Sequence, residues 1–252
     1  METGLTGKVA FVSGGSGAIG RAIALALAAE GAAVAVSWRS GKDRAADVVE
    51  QIVRSGGTAQ AVHLDQRDQA SSRATLHEVD QVLGRVSVLV ANAVEWPSRD
   101  LDEVDGLAAS LIANTVGSAG LIDAALPGMR AAKFGRIVVV STDIVGQPMA
   151  GPLAYATAKG ALEIAVRVLA VREARHGILA NVVRPGFTLT ERALTSALLG
   201  PAVIAQEAAK TPTGRICTPE DIASAATYLG SGANRHVNGQ VLSVAGGREL
   251  VR

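Results

Sequence analysis

The sequence predicts one doubly wound α/β domain: a parallel sheet of about seven strands with helices on both faces. Three observations predict it. Short apolar or β-branched runs alternate with longer helical patterns along the chain, which is the rhythm of repeated strand–helix–strand units. The short runs are continuously apolar, as strands buried on both faces are. The first of them enters its helix through four glycines in eight residues, Ser13 to Gly20.

The elements follow in order. "VAFVS" (9–13) is the first strand, and the helix near 18–30 stops at Gly31. "AVAVS" (33–37) precedes a helix near 42–55 that stops at Gly56-Gly57. "AQAVHL" (59–64) precedes a helix near 68–83, and "VSVLVA" (86–91) one near 101–131. "RIVVVS" (136–141) precedes a helix near 153–175, closed by Gly177. "ILANVV" (178–183) is the sixth strand, a helix lies near 219–229, and "QVLSV" (240–244) is the last strand. Glycines after a helical pattern are the usual stop signals. The segment near 187–213 breaks the rhythm: it is helix-like, follows a strand end and closes with "TPTG". Long connections of this kind are either lids over a site or ordinary surface helices. No linker, repeat or low-complexity stretch divides the chain, so residues 1–252 are read as one domain.

Composition narrows the function classes. A chain of 252 residues buries roughly three quarters of its unfolded surface and needs no staples. Apolar residues make up 48% and aromatics only 3%, so the core packs small side chains tightly. Twenty-four Lys and Arg are scattered among twenty-three acids, which argues against nucleic acid as the main partner. The single Cys217 has no evident base beside it and reads as buried filler. His63, His77, His176 and His236 lack metal-ligand spacing, and no metal is expected. The N-terminus, "METGLTGK", is not a signal peptide. The apolar stretch from Ala22 is broken by Glu30 and Gly31 and is too short to span a bilayer. A soluble, cytoplasmic protein is expected.

A strand, a glycine turn and a helix make the first unit of a Rossmann-like dinucleotide-binding fold. The free N–H groups at the helix start attract a pyrophosphate, and glycines let it approach the backbone. Two patterns fit: Gly15-x-Gly17-x-x-Gly20, and Ser13-Gly14-x-x-x-Ala18-x-Gly20. A tight turn without ligand remains the other reading of such a joint. The candidate cradle is Gly14, Ser16, Gly17, Ala18, Ile19 and Gly20. An acid at the end of the second strand would bind the ribose of NAD; here the strand ends in Trp38, Arg39, Ser40, Gly41 and Lys42. Arg39 offers a planar fork for a 2′-phosphate, with Ser40 and Lys42 as further donors. NADP(H) is the expected cofactor.

"YATAK" places Tyr155 and Lys159 four residues apart, on one face of a helix. Ser141 and Thr142 end the fifth strand, where open α/β sheets build their sites. Asn114 lies inside the preceding helix, an unusual place for an amide.

With these residues the chain resembles the short-chain dehydrogenase/reductase family. The resemblance covers essentially the whole length, from "GKVAFVSGGSGAIGRAIA" to "NGQVLSVAGG". It includes Leu64-Asp65, "ANA" (91–93), Asn114, "VVVST", "YATAK", "VVRPGFTLT" (182–190) and "GRICTPEDIA" (214–223). The resemblance implies roles. Tyr155 is the general acid for a carbonyl oxygen, Lys159 holds the nicotinamide ribose and lowers the Tyr pKa, and Thr142 hydrogen-bonds the substrate oxygen. Asn114 supports a water in the proton relay. Asp65 contacts the adenine amino group and Asn92 packs by the adenosine ribose, with Gln66 and Ala93 also among the cofactor-binding residues. Pro185, Gly186, Thr188 and Thr190 shape the nicotinamide side. An unperturbed Tyr, with a pKa of about 10, is already protonated at neutral pH and so suits reduction. The family also implies a homotetramer or homodimer through the helices that hold Asn114 and Tyr155.

Three departures stand out. Thr142 fills the usual Ser position, keeping the donor with a stiffer χ1; Ser141 alternates to the other face. Val94 stands where Gly is usual, which puts the local backbone in question. Glu95-Trp96-Pro97 follows, and Trp96 is read as lining the substrate pocket with Val94, Asp143 and Phe187. Asp143 and Glu95 are pocket acids or, more simply, solvated loop charges. Ala245 replaces an Asp before Gly246-Gly247. The expected reaction is NADPH-dependent reduction of a ketone or quinone-type carbonyl. Composition and the Trp96 loop resemble ketoreductases that tailor bacterial aromatic polyketides. The alternatives are a 3-oxoacyl thioester reductase, an NADP-linked alcohol dehydrogenase or epimerase, and a non-catalytic NADPH-binding regulator.

Overall fold

The computed structural model describes residues 2–96, 104–148, 152–195 and 200–251. Seven strands, β1 (Val9–Val12), β2 (Ala33–Trp38), β3 (Ala59–His63), β4 (Val86–Ala91), β5 (Gly135–Val140), β6 (Ile178–Pro185) and β7 (Val241–Val244), form one sheet in the order β3-β2-β1-β4-β5-β6-β7. Every pairing is parallel. The order reverses between β1 and β4, and such a reversal opens a ligand crevice at the carboxyl ends of the strands.

Alternation along the central strands explains their apolar runs, because both faces are covered; the edge strands β3 and β7 are only partly buried. Val88, Val90, Val138 and Val140 face one side. There they meet α1 (Ala18–Ala29), α2 (Lys42–Arg54) and α9 (Pro219–Gly230) through Ile23, Leu27, Ile52, Ile222 and Leu229. Leu89, Ala91, Ile137 and Val139 face the other. They pack on α3 (Gln69–Val82), α5 (Gly117–Ala132) and α6 (Leu153–Glu173) through Val79, Leu121, Met129, Leu162 and Val166. Phe11 is the one aromatic among the largest fully buried side chains, so the core is built from aliphatic residues, as the composition implies.

Two expectations need correction. The helix near 101–131 is not one α-helix. Residues 101–103 lie outside the described ones; then α4 (Val104–Ser110) runs into a π-helical stretch, Leu111–Val116, before α5 begins. A π insertion adds a residue to the turn and often marks a functional site; this one contains Asn114. β6 also runs two residues further than expected, because Arg184 and Pro185 pair with Ser243 and Val244. The segment near 187–213 holds two helices, α7 (Glu191–Thr195) and α8 (Pro201–Lys210), with 196–199 outside the described residues. One helical run, Asp105–Ala132, is long and apolar enough to cross a bilayer. It places Leu121, Ile122, Ala125, Leu126 and Met129 in the core.

Candidate active site

The glycine joint is fastened rather than loose. Gly14 has φ +64°, and a Cβ there would lie 2.8 Å from Ala93 Cα. A side chain on Gly20 would collide with the Gly14 carbonyl and with Asn92 Nδ2. Asn92 Nδ2 donates to the carbonyls of Ser13 and Gly14 at 3.0 and 3.2 Å. Ser13 Oγ accepts from the N–H groups of Asn92 and Ala93, each at 2.9 Å. Asn92 thus joins the ends of β1 and β4. Gly17 precedes α1 without a side-chain cap; a Cβ on it would meet only the Gly14 carbonyl, 3.5 Å away. Gly17 and Ala18 are exposed, with Ser16 and Ile19 half-buried beside them. The first N–H groups of α1 therefore open onto a cradle that suits a phosphate group.

At the end of β2, Trp38 packs edge-on against His63 with centroids 4.8 Å apart. Arg39, Ser40 and Lys42 are exposed. Arg39 Nη1 donates to Glu95 Oε2 at 2.7 Å. Glu95 Oε1 lies 3.6 Å from Arg67 Nη1, so Glu95 is not the solvated loop charge that the sequence favours. Arg67 forks onto Asp65 through Nε and Nη2, at 2.9 and 2.5 Å. That contact holds the Asp65 carboxyl down to about 2. Gln66, read from sequence as a cofactor-binding residue, turns its side chain inward. Its amide nitrogen donates to the Ala113 carbonyl at 2.7 Å and to that of Ala93 at 3.3 Å, while its Oε1 is buried with no hydrogen-bond partner among the described residues.

The chemistry-bearing residues converge at the carboxyl end of β5. Tyr155 and Lys159 open α6, both buried. Lys159 Nζ donates to the Val140 carbonyl at 2.8 Å and lies 5.9 Å from the centre of the Tyr155 ring. Trp96 lies on that same ring with centroids 4.3 Å apart; Pro97, beyond it, lies outside the described residues. Thr142 Oγ1 is 3.4 Å from Asp143 Oδ1, and burial pushes the Asp143 carboxyl up. Val94 is exposed and has no positive φ; Lys133 is the only non-glycine with one among the described residues. The backbone there does not need the family's glycine. Asn114 Oδ1 accepts from the Glu95 N–H at 2.9 Å, and its Nδ2 donates to the Glu95 carbonyl at 2.8 Å. The amide thereby positions the stretch that carries both Glu95 and Trp96. Thr115, one residue on, donates to the Ala158 carbonyl of α6 at 2.7 Å.

Behind this group lies a charge network that the sequence did not reveal. Arg184 on β6 grips Glu163 on α6 through Nε and Nη2, at 2.8 and 2.6 Å. Ser141 Oγ donates to the same carboxylate at 2.6 Å, so its hydroxyl is committed away from the site and Thr142 is the available one. Glu163 is one helical turn beyond Lys159, and its charge partly offsets the burial that lowers the Lys159 amine to about 8. In the unfolded chain that amine titrates near 10.5. Between those values the unfolded chain holds more protons, so stability rises with pH. Relative to a Lys159→Met variant, the cofactor-free wild type is expected to gain roughly 2 kcal/mol from about pH 7.5 to about pH 9.5 in urea unfolding. A flat difference would contradict the buried ammonium.

At the end of β6, Pro185 and the following Gly186 are buried. A Cβ on Gly186 would come within 2.8 Å of Ala245 Cβ, which gives both small residues a packing reason. Thr188 Oγ1 donates to the Gly186 carbonyl at 2.7 Å, and Thr190 Oγ1 accepts from the Ala193 N–H at 3.2 Å in the first turn of α7. The carbonyl of half-buried Phe187 accepts from the Cys217 N–H at 2.9 Å. The Cys217 thiol, raised by burial, points at the Val244 carbonyl 3.0 Å away. Among the described residues no three His, Cys, Asp or Glu side chains gather as a metal would need.

Comparison with known proteins places this geometry. A family model described as enoyl-(acyl carrier protein) reductase matches residues 13–249. An uncharacterized oxidoreductase of Methylorubrum extorquens is 36% identical, over 96% of this chain and 98% of its own length. The chain belongs to the short-chain dehydrogenase/reductase family. A family relative, the 3-oxoacyl-(acyl-carrier-protein) reductase of Aquifex aeolicus, is 30% identical over 98% of this chain and 99% of its own. Two solved structures share the fold. One is a gluconate 5-dehydrogenase from Burkholderia cenocepacia in complex with NADP and tartrate; it has a TM-score of 0.89 and 29% identity, covering 100% of this chain and 98% of its own. The other is a 7α-hydroxysteroid dehydrogenase complexed with NADH and 7-oxo glycochenodeoxycholic acid; it has a TM-score of 0.91 and 30% identity, covering 98% and 96%. The chain is thus an oxidoreductase of the kind that acts on alcohol and carbonyl groups.

Proposed function

We propose that this enzyme uses NADPH to reduce a ketone or quinone-type carbonyl to an alcohol. The observation that carries the reading is the start of α6, where Tyr155 and the buried Lys159 lie one turn apart and Lys159 reaches the Val140 carbonyl at the end of β5. NADPH supplies a hydride to the carbonyl carbon. Tyr155 donates its phenolic proton to the carbonyl oxygen, which becomes the alcohol. Thr142 donates a hydrogen bond to that oxygen and orients it. Lys159 keeps a positive charge beside the phenol, which eases loss of the proton, and reaches the cofactor ribose. Asn114 holds the neighbouring main chain and serves the proton relay.

The residues fit the cofactor: the uncapped start of α1 takes the pyrophosphate, and Arg39 takes the 2′-phosphate. Asp65, Gln66, Asn92 and Ala93 flank the adenosine. Pro185, Gly186, Thr188 and Thr190 border the nicotinamide. Trp96 beside Tyr155, with Val94, Asp143 and Phe187, favours a flat aromatic substrate such as those of aromatic polyketide tailoring. The Aquifex relative supports the second reading, a 3-oxoacyl thioester reductase. The described residues 187–195 and 200–213 act as a lid. Exposed Ile112, Val116, Ile164, Val168 and Val171 on the helices around Asn114 and Tyr155 support a homodimer or homotetramer. The expected location is the cytoplasm.

Loss of NADPH absorbance with a panel of ketones, quinones and 3-oxoacyl thioesters tests the reaction. Tight NADPH binding with no turnover on any of them would favour the regulator. Arg39→Asp is expected to shift kcat/KM from NADPH towards NADH by about a hundredfold, because a charged fork is replaced by a charge of the wrong sign. An unchanged cofactor preference would remove Arg39 from the 2′-phosphate.

A further inference from the structure

Three strand ends meet at one carboxylate. Glu95 extends from the end of β4 towards the ends of β2 and β3, and each of its oxygens faces a different guanidinium. Oε2 accepts from Arg39 at 2.7 Å, and Oε1 lies 3.6 Å from Arg67. Arg67 cannot swing freely, since Asp65 holds it with a two-pronged contact. The Glu95 main chain is equally fixed, because its N–H and carbonyl are both bound by the Asn114 amide. Only the Glu95 side chain is left to move. All three side chains stay partly exposed, at 44%, 34% and 46%, so a ligand can reach them. Two arginines held a carboxylate apart, one of them braced from behind, form a site whose chemistry suits a phosphate monoester. Such a group has more charge and more acceptor oxygens than one carboxylate and binds Arg forks in two-pronged fashion.

We propose that Arg39 and Arg67 together form the receptor for the adenosine 2′-phosphate, and that Glu95 is its internal counter-ion, displaced when the phosphate enters. The proposal rests on the NADP(H) reading and adds two residues to it, one that grips and one that competes. Glu95 thereby weakens NADP(H) binding, because two ion pairs must open before the phosphate can be seated. A ribose 2′-hydroxyl carries no charge with which to open them, so NAD(H) leaves Glu95 in place. The Glu95 pairing also occupies the guanidiniums when no cofactor is bound.

Calorimetric titration of the purified, cofactor-free enzyme with NADPH, NADH, 2′,5′-ADP and 5′-AMP tests this. Exposed ion pairs are individually weak, so Glu95→Gln is expected to tighten NADPH and 2′,5′-ADP by about five- to tenfold and to leave NADH and 5′-AMP within about twofold. Arg67→Gln is expected to weaken the two 2′-phosphorylated ligands by about tenfold and spare the other two. Unchanged 2′,5′-ADP affinity in Glu95→Gln would overturn the counter-ion. Equal losses for 2′,5′-ADP and 5′-AMP in Arg67→Gln would overturn the second grip. The wild-type preference is a separate result: tighter NADH than NADPH would sink the NADP(H) reading itself. A selective loss of NADH in Glu95→Gln would assign the carboxylate to the ribose hydroxyl and overturn the proposal.

Discussion

Tyr155→Phe is expected to lower kcat for ketone reduction by about a thousandfold, close to 4 kcal/mol of barrier, while the NADPH dissociation constant stays within about twofold. The substitution removes one oxygen and one proton and leaves a ring of nearly the same shape. The packing against Trp96, with centroids 4.3 Å apart, and the Lys159 bond to the Val140 carbonyl both survive it. The loss therefore reports the missing acid rather than a disturbed scaffold. Stopped-flow measurement of hydride transfer, paired with direct titration of NADPH, checks both halves. Near-normal turnover would mean that another group protonates the product oxygen.

The second large effect concerns stability. Glu163→Ala is expected to cost about 3 kcal/mol, because it strands a partly buried guanidinium and leaves a buried hydroxyl without its acceptor. Arg184 receives two bonds' worth of compensation from that carboxylate, and Ser141 one. For a domain of this size the loss corresponds to roughly 6–12 °C in the unfolding midpoint. Glu163→Gln retains an acceptor for Ser141 or Arg184 and should lose less than half as much. Equal losses in the two variants, or a loss below about 1 kcal/mol in Glu163→Ala, would show that the ion pair is not what holds β6 to α6.

The central strands were legible because burial on both faces writes itself as apolar runs; the edge strands β3 and β7 are only partly covered, yet all seven pair as the rhythm implies. The glycine joint was legible for a similar reason: Gly14 and Gly20 sit where backbone approaches backbone too closely for a side chain. The π-helical stretch was not. Leu111–Val116 mixes apolar and polar residues in an order that suits either helical period, so nothing in its pattern signals one extra residue per turn. The charge networks were hidden for another reason. Arg39 and Glu95 are 56 residues apart, and Arg184 and Glu163 are 21 apart. Each pair exists only because sheet order brings those strand ends and helix faces together. Gln66 shows the same limit in reverse. Its place beside Asp65 suggests a ligand, yet the approach of the π-helical stretch draws its amide inward to the Ala113 carbonyl.

The two indoles have a practical consequence. Trp38 sits on His63 at the end of β2, and Trp96 sits on Tyr155 near the end of β5. Three strand spacings separate those ends, about 14 Å. The molecule thus carries one natural fluorophore at the proposed adenosine end of its groove and one at the proposed carbonyl end. With Trp38 replaced by Phe, the remaining indole emission comes from beside the Tyr155 phenol alone. Quenching or energy transfer to a reduced pyridine ring then times events at that spot without any added label.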